Sequence, residues 1–486
     1  MFKNIVVEKN IKDKLSVIRE MDLNVFNLLS EKLEFNQFTR FKKTIRQLLR
    51  KFIAMGIRNS LKTLSKKDVI RKINSSTNTK KKVLFVAGTY AFNLVGISIY
   101  LRKTGEYSTS LIIENPWLWN YFKIYFDNVY VYNSNYNVAC ILLESNPYMV
   151  HVQGTHQYYF LGVLAKCLSD APVVIGFSDI PSLSIISPDE LPVQACEKSC
   201  SRLNDVSDLD MLSEKFLFQH ADGIILAINT KIAGEKLLHR YKSNVPLIEF
   251  FPYVCDEFIC QEEKHSSVDG KIHIVYGGVI ATADKPEEFY SGIQFIGLVK
   301  KLVKQGLYFH LYGTPHTSPL KLKSAFPEYT QLTTETSNFT FECGLPPDEA
   351  IKEFSKYDFA TITSLYGKKQ NDFNRLHKKT AIPSKFFTYL SAGIPMIVGE
   401  EEANSRVLIE KIEKYDVGIV VNQDKIECLS EIIKECDYEK LLSNVRRARE
   451  ELSMKNHIGR LIEFYDQVYA TKTLKHEAKQ PEVLTT

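Results

Sequence analysis

This sequence of 486 residues lacks several features that mark common classes of protein. It has no run of about 18 uncharged apolar residues, so we expect no transmembrane helix. Its first residues, MFKNIVVEKNIKDK, are interrupted by charges and contain no apolar core, so we expect no secretory signal there. The nine cysteines are scattered and only Cys196 and Cys200 lie close together, which favours reduced thiols in a cytoplasmic protein over a zinc site.

A dinucleotide-binding fingerprint is also missing. The stretch VLFVAGTYAFNLVG begins as a strand, but it offers only Gly88 and Gly96 in place of the G-x-G-x-x-G pattern. That pattern supplies the tight turn and the close backbone approach that a dinucleotide pyrophosphate needs. The sequence therefore argues against a nicotinamide-dependent dehydrogenase.

Acidic residues are almost absent from residues 40–82, which contain fifteen Lys or Arg and a single acid, Asp68. The whole chain has a net charge of +5, so the remainder of the chain is acidic, at −9. Apolar residues recur at helical spacing in the first part of this segment, at Phe41, Ile45, Leu48 and Phe52.

A basic amphipathic helix of this kind has two interpretations. Residues 40–72 can bind an anionic membrane surface, which predicts a cytoplasmic protein that lies peripherally on the inner face of the membrane. The same apolar stripe can instead pack on the protein's own domain and leave a solvated basic face. No recognition motif for nucleic acid accompanies the charge, so we expect no nucleic-acid partner.

From Lys82 onward, strands alternate with helices. Strand patterns such as KVLFVAG and YMVHVQG are separated by helical stretches. This alternation of strands and helices is interrupted at residues 253–270 and resumes at KIHIVYGG. Such alternation is typical of parallel α/β sheets with helices on both faces. We predict a basic helical N-terminal extension (1–79), a first α/β domain (80–252), a linker (253–270), a second α/β domain (271–450) and a C-terminal helix with a polar tail (451–486).

One stretch, IPSKFFTYLSAGIP, predicts a short helix that is suited to anion binding. Ser384 is a good N-cap after Pro383, and Gly393 ends the helix after about two turns. The N–H groups and the dipole at such an N-terminus favour a phosphate group. Lys385 adds a positive charge, and the preceding loop adds more, including Arg375. The alternative is a solvated basic loop beside an ordinary helix.

The order of several motifs resembles bacterial glycosyltransferases of the GT-B type, especially the family-4-like group. The motifs are HVQGTH, GFSDIPS, EKFLFQHADGIILAINTKIAGEKL, YGG after a strand, FECGLPPDEAIKEFSKYDFATI and IPSKFFTYLSAGIPMIV. The resemblance implies two tandem Rossmann-like domains that face a central cleft, the first for the acceptor and the second for the donor. It also implies transfer of a hexosyl-type sugar from a nucleotide-sugar donor to a glycan or lipid-linked acceptor in bacterial surface polysaccharide synthesis, without a metal or another cofactor.

The resemblance places the nucleotide-sugar donor on the second domain. We expect the donor site to contain Gly277, Gly278, Lys285, Gly313, Glu342, Arg375, Ser384, Lys385 and Thr388. Two positions depart from the family. The acidic residue that commonly holds the donor ribose is Thr388 here, and the arginine that commonly follows YGG is Val279. Either phosphate binding depends on Lys285, Lys385 and the basic loop 366–379, or the donor chemistry differs from that of the family.

On the first domain, the resemblance points to two candidate catalytic residues. His156 in HVQGTH can polarise an acceptor hydroxyl or contact the donor sugar, and Asp179 in GFSDIPS can orient the acceptor or act as a base. The structural alternatives are a loop histidine without a catalytic role and a carboxylate that caps a turn. The other residues expected on the acceptor side of the cleft are Gly88, Gly96, His151 and Gln153.

Two other functions stay open. Loss of the family's arginine and acidic residue fits a non-catalytic GT-B subunit that binds a partner transferase or a glycan. Such a subunit would bind no nucleotide. A nucleotide-sugar epimerase on the same fold would instead form product without any acceptor.

Overall fold

The chain divides into two compact units. Unit 1 comprises residues 1–226, 234–248 and 460–486, and unit 2 comprises residues 227–233 and 249–459. The computed structural model describes residues 65–75, 80–88, 91–114, 119–132, 134–155, 158–184, 210–284, 291–313, 319–365, 380–400 and 405–477.

The described residues of unit 1 form a seven-stranded sheet in the order β3-β2-β1-β4-β5-β6-β7. Strands β1 to β6 pair in parallel, and their apolar runs are buried because helices cover both faces. The strands are β1 (Lys81–Ala87), β2 (Tyr107–Ile113), β3 (Asn128–Val131), β4 (Met149–Gly154), β5 (Val173–Phe177), β6 (Gly223–Leu226) and β7 (Leu247–Glu249). The helices are α1 (Lys66–Asn74), α2 (Phe92–Lys103), α3 (Trp119–Tyr125), α4 (Asn135–Glu144), α5 (Phe160–Leu168), α6 (Pro181–Ser184), α7 (210–220) and α8 (Glu235–Tyr241).

In unit 2, the described residues form a six-stranded parallel sheet in the order β10-β9-β8-β11-β12-β13. The strands are β8 (His273–Gly278), β9 (Tyr308–Gly313), β10 (Phe339–Cys343), β11 (Phe359–Thr361), β12 (Met396–Gly399) and β13 (Gly418–Val421). The helices are α9 (His265–Asp269), α10 (Ile296–Lys304), α11 (Pro319–Ala325), α12 (Pro327–Glu335), α13 (Pro347–Phe354), α14 (Ser384–Ala392), α15 (Arg406–Tyr415), α16 (Leu429–Glu435) and α17 (Tyr438–Glu451). The last helix, α18 (Met454–Glu477), begins in unit 2 and ends in unit 1.

Both sheets reverse their strand order beside their first strand. In unit 1 the reversal falls between β1 and β4, and in unit 2 it falls between β8 and β11. Open α/β sheets bind ligands outside the carboxyl ends of the strands at such a reversal. Two tandem Rossmann-like α/β units are therefore confirmed, and each has one edge where a ligand is expected.

The basic N-terminal segment is described only around α1. Ser65 caps this helix by accepting the N–H of Asp68, and Val69, Ile70 and Ile73 are buried in unit 1. This part of the segment therefore packs on its own domain, while the predicted stripe from Phe41 to Phe52 lies outside the described residues. No helix in the described part of the chain is long and apolar enough to cross a membrane.

The C-terminal helix contributes to the core of unit 1. The hydroxyl of Tyr465 lies 2.6 Å from Nδ1 of His151, and both side chains are buried. Residues 460–486 group with unit 1, whereas the predicted boundaries treat residues 451–486 as a separate segment. Residues 253–270, which the sequence predicts as a linker, group with unit 2, where Lys264 donates to the carbonyl of Tyr357.

We expect Tyr465→Phe to lower the free energy of unfolding by about 1–3 kcal/mol, because it leaves the buried ring of His151 without its partner. Tyr469→Phe changes the same residue type on the same helix at a position that is 41% exposed. That control should stay within about 0.5 kcal/mol of the wild type. Urea unfolding followed by circular dichroism measures both variants, and equal losses would contradict a specific role for the Tyr465 contact.

Candidate functional site

The edge of unit 2 at its strand reversal is built from the ends of three elements. Strand β8 ends in Gly277 and Gly278, its neighbour β11 ends at Thr361, and helix α14 begins at Ser384. The first N–H groups of a helix have no acceptor within the helix, and the helix dipole makes this end positive. This edge is therefore the candidate functional site.

The two glycines at the end of β8 allow close packing that other residues would prevent. A Cβ atom on Gly277 would lie 2.3 Å from a ring carbon of Phe354. Gly278 has a φ of +152°, and a Cβ there would lie 3.1 Å from both Nζ of Lys385 and the hydroxyl of Tyr276. The structure thus brings together Gly277, Gly278 and Lys385, which the sequence predicts as donor-site residues.

Lys385 is a partly buried cation in the first turn of α14. Its Nζ lies 5.0 Å from the centre of the Tyr276 ring and 3.5 Å from the Tyr276 hydroxyl. No carboxylate among the described residues forms an ion pair with it, and burial lowers the pKa of Lys385 to about 8. A cation held in this way, without a counter-ion, favours binding of an anion.

The hydroxyl of Tyr389 forms hydrogen bonds to both strands at the reversal, β8 and β11. It accepts a hydrogen bond from the N–H of Gly277 at 3.1 Å and donates one to the carbonyl of Thr361 at 3.1 Å. Tyr389 is fully buried and lies four residues after Lys385, so both side chains project from the same face of α14. Tyr389 therefore sets the position of Gly277 relative to the helix that carries Lys385.

The start of α14 differs from the prediction in one respect. Ser384 was predicted as the N-cap, but it is the first helical residue and Pro383 occupies the N-cap position without a side-chain hydrogen bond. The fixed φ of proline, near −59° here, lets the helix begin directly after it. The helix ends at Gly393, which has a φ of +72°, as predicted.

Thr388, which stands where the family has an acidic residue, uses its hydroxyl locally. Its Oγ1 donates to the carbonyl of Ser384 at 3.3 Å. Because this bond occupies the hydroxyl proton, Thr388 can only accept further hydrogen bonds from a ligand. Val279, in place of the family's arginine, has a side chain that is 54% exposed and offers no charge.

Two features at the end of β11 were not foreseen from the sequence. Thr361 is fully buried, and its Oγ1 has no hydrogen-bond partner among the described residues. Leu365 is buried and has a φ of +66°, a conformation that is costly for a residue with a Cβ. Unpaired buried polar atoms and strained backbone are concentrated at functional sites, so both features agree with a ligand site at this edge.

The other predicted donor residues are placed less centrally. Gly313 ends β9, and a Cβ there would lie 2.7 Å from Ile280, so it serves close packing. Glu342 is exposed near the end of the edge strand β10. Lys285 and Arg375 lie outside the described residues. In the described ranges, no group of three His, Cys, Asp or Glu side chains is arranged to hold a metal ion.

Two predicted residues of unit 1 lie on β4. His151 is buried in the sheet beside Tyr465, and burial lowers the pKa of His151 to about 3, so it is a neutral core residue. Gln153 is also buried, near the carboxyl end of the strand, where its Nε2 donates to the hydroxyl of Ser178 at 2.6 Å. Of the two, only Gln153 lies near the edge where a ligand is expected.

The remaining predicted residues of unit 1 occupy different surroundings. Gly88 directly follows β1, at the strand reversal. Gly96 is a buried residue within α2, which begins at Phe92. Asp179 is exposed just after β5, and its backbone carbonyl accepts the hydroxyl of Tyr159. His156 lies outside the described residues.

Comparison with known proteins agrees with the fold. Residues 301–463 match the family model of the glucosyltransferase 3-like C-terminal domain. A glycosyltransferase structure from Rickettsia africae covers 80% of this chain and 99% of its own length, with 12% identity and a TM-score of 0.50. A sucrose-phosphate synthase from Thermosynechococcus elongatus covers 81% of this chain and 100% of its own length, with 11% identity and a TM-score of 0.53. The search of curated proteins gave no significant match.

The chain has the GT-B fold. The two structural matches show this fold. The family-model match covers most of unit 2, the unit with the candidate site, and extends a few residues into the part of the last helix that belongs to unit 1. The predicted resemblance to GT-B proteins is thus confirmed. The narrower resemblance to the family-4-like group stays a prediction.

We expect Tyr389→Phe to weaken anion binding in this GT-B chain because it removes the bridge between β8 and β11. A loss of roughly 1 kcal/mol of binding free energy corresponds to an increase of about fivefold in the dissociation constant for pyrophosphate. Isothermal titration calorimetry measures this constant. Tyr438→Phe is the control, because it removes a hydroxyl that donates to Asp358 at the other end of β11. Equal pyrophosphate affinity in the wild type and Tyr389→Phe would exclude the positioning role.

Proposed function

We propose that this chain is a glycosyltransferase that moves a hexosyl-type sugar from a nucleotide-sugar donor to a glycan or lipid-linked acceptor. One observation carries the proposal: Nζ of Lys385 has no counter-ion among the described residues and lies at the strand reversal of unit 2, next to Gly278 and the N-terminal turn of α14. The diphosphate of a nucleotide-sugar is an anion of suitable chemistry for this position. The glucosyltransferase 3-like match over residues 301–463 supports a hexosyl donor.

In the proposed reaction, the bond between the anomeric carbon of the sugar and the phosphate oxygen breaks. The electron pair leaves with the nucleoside diphosphate, and an acceptor oxygen forms the new bond while its proton is released. Negative charge therefore builds on the leaving diphosphate, where Lys385 and the first N–H groups of α14 stabilise it. In this scheme the chain's own groups supply the positive charge, and we propose that the transfer is metal-independent.

We place the acceptor on unit 1 and the biological role in bacterial surface polysaccharide or glycolipid synthesis. The resemblance of the sequence motifs supports this assignment. Asp179 and His156 remain the proposed acceptor-side residues, and the exposed position of Asp179 after β5 leaves its side chain near the carboxyl end of that strand. The basic segment 40–72 is proposed to hold the protein at an anionic membrane surface on the cytoplasmic side.

A second candidate is a non-catalytic GT-B subunit that binds a partner or a glycan. Two observations favour it: the hydroxyl of Thr388 donates to the helix backbone, and Val279 offers no charge next to Gly278. Both groups would contribute little to nucleotide binding. Nucleotide binding therefore distinguishes the two candidates.

We expect one of UDP, GDP, CMP or their sugar conjugates to raise the thermal midpoint of the chain. A nucleotide at 100 times its dissociation constant adds about 2.7 kcal/mol to the stability of the folded state. Lys385→Met should weaken binding by roughly 10-fold to 100-fold, since hydrogen bonds to charged groups contribute about 1.5–3 kcal/mol.

The control is Lys271→Met, which changes an exposed lysine just before β8, at the opposite edge of the sheet. It should bind the nucleotide like the wild type. If no nucleotide stabilises the wild-type chain, the non-catalytic candidate replaces the enzyme.

Nucleotide affinity should depend on pH above about 8. Burial lowers the pKa of Lys385 to about 8 in the unliganded chain, and a bound diphosphate raises the pKa of that ammonium again. Binding therefore takes up a proton at higher pH, so affinity is greatest below pH 8 and falls by up to about tenfold per unit above it. Titration calorimetry between pH 7 and 9.5 should show this fall in the wild type, and Lys385→Met should abolish it. A pH-independent affinity in the wild type would contradict the role of Lys385.

A further inference from the structure

The strand reversal of unit 1 carries a second cluster of polar side chains. Gly88 follows β1 there, and a Cβ atom on Gly88 would lie 2.2–2.4 Å from three ring carbons of Tyr158. The tyrosine ring thus lies directly against the backbone of Gly88, and only glycine leaves room for it. This contact fixes Tyr158 at the edge of the sheet where an open α/β unit binds its ligand.

Glu114 is held at the same place by two contacts. Its N–H donates to the carbonyl of Gly88 at 3.2 Å, and its carboxylate accepts the hydroxyl of Tyr158 at 2.5 Å. The side chain is exposed, and among the described residues no lysine, arginine or histidine lies within ion-pair distance of it. One carboxylate oxygen is thus fixed, while the group as a whole keeps its capacity to accept further hydrogen bonds.

Two buried hydroxyls at this edge have no partner among the described residues. Tyr132 follows β3 and is 3% exposed, yet its phenol makes no hydrogen bond. Its N–H donates to the carbonyl of Ile113, directly before Glu114. Burial, and after it the charge of the Glu114 carboxylate, raises the pKa of Tyr132 well above its usual value. The Oγ1 of Thr155, which follows β4, is likewise buried without a partner. Such groups are destabilising unless a ligand or water satisfies them.

These groups define the chemistry of a ligand. They offer hydroxyls and one carboxylate, and the described part of the cluster contains no cation, so a phosphate is disfavoured and a neutral molecule rich in hydroxyls is favoured. We propose that this edge of unit 1 binds a neutral sugar ring, with Glu114 and Tyr132 as its hydroxyl-binding residues and Tyr158 as the residue that positions Glu114. The proposal rests on the proposed function in one respect only, namely that the bound sugar is the acceptor.

The binding test uses the full chain and saturation-transfer difference NMR. The probes are neutral methyl glycosides of glucose, galactose and N-acetylglucosamine, each compared with the 6-phosphate of the same sugar. At least one neutral glycoside should bind about tenfold or more tightly than its phosphate, because Glu114 repels the anion. Glu114→Gln should reduce this preference, since it removes the charge and keeps the shape of the side chain.

Tyr132→Phe separates a binding role from a structural one. The substitution removes a buried hydroxyl that lacks a partner, so the thermal midpoint should stay equal or rise. Binding of the neutral glycoside should nevertheless weaken by about fivefold, the equivalent of one hydrogen bond. Tyr469→Phe, at an exposed position on α18, is the control for both measurements.

The outcomes keep the two proposals apart. Binding of a nucleotide without binding of any neutral glycoside would overturn the sugar site and leave the proposed donor site intact. Binding of a glycoside without any nucleotide would support the sugar site and overturn the proposed transferase. Equal or tighter binding of the sugar phosphates, or a Tyr132→Phe variant with unchanged glycoside affinity, would also overturn the sugar site.

Discussion

The ammonium group of Lys385, which has no counter-ion among the described residues, is the constraint on which the candidate site of unit 2 depends. Removing a cation from water is costly unless an anion or hydrogen bonds compensate for the lost hydration. The fold provides only partial compensation, through the ring and hydroxyl of Tyr276. The surrounding features accommodate this group: Gly278 leaves room for it, α14 adds positive N–H groups, and Tyr389 fixes the strand beside it. We propose that a diphosphate completes the arrangement.

The two units share a strand order around their first strands but differ in the charge at the corresponding edge. In unit 2, Lys385 has no carboxylate partner among the described residues, and in unit 1 Glu114 has no cationic partner among them. The fold alone does not distinguish these edges, since the strand reversal creates a ligand position in each. The side chains that follow the strands decide which ligand each edge favours. A phosphate is suited to the edge of unit 2, and a neutral, hydroxylated molecule is suited to the edge of unit 1.

Local patterns in the sequence were sufficient for the fold and for part of the site. Alternating strands and helices predict two α/β units because each strand is a short buried run with clear boundaries. Gly278 and Lys385 could be found because they belong to short motifs, YGG and PSK, whose chemistry is local. Local geometry was predicted less well at Ser384, because the start of α14 is set by packing and by Pro383 as well as by capping preference.

Contacts between distant residues could not be read from the sequence. The hydrogen bond between Gly277 and Tyr389 spans 112 positions, although the spacing of Tyr389 from Lys385 on the same helix face was a usable signal. The contact of Tyr465 with His151 spans 314 positions, which is why the last helix was not assigned to unit 1. Tyr132, Glu114 and Tyr158 come from three separate loops, so only the sheet topology brings them to one edge.

The central claim is that the donor diphosphate lies between Lys385 and the end of β8. A crystal structure of the chain with its bound nucleoside diphosphate tests this claim most directly. The account predicts a phosphate oxygen about 2.8 Å from Nζ of Lys385, with the N-terminal N–H groups of α14 directed at the same phosphate group. A diphosphate bound away from α14, with Lys385 still resting on Tyr276 and without an anion, would contradict it.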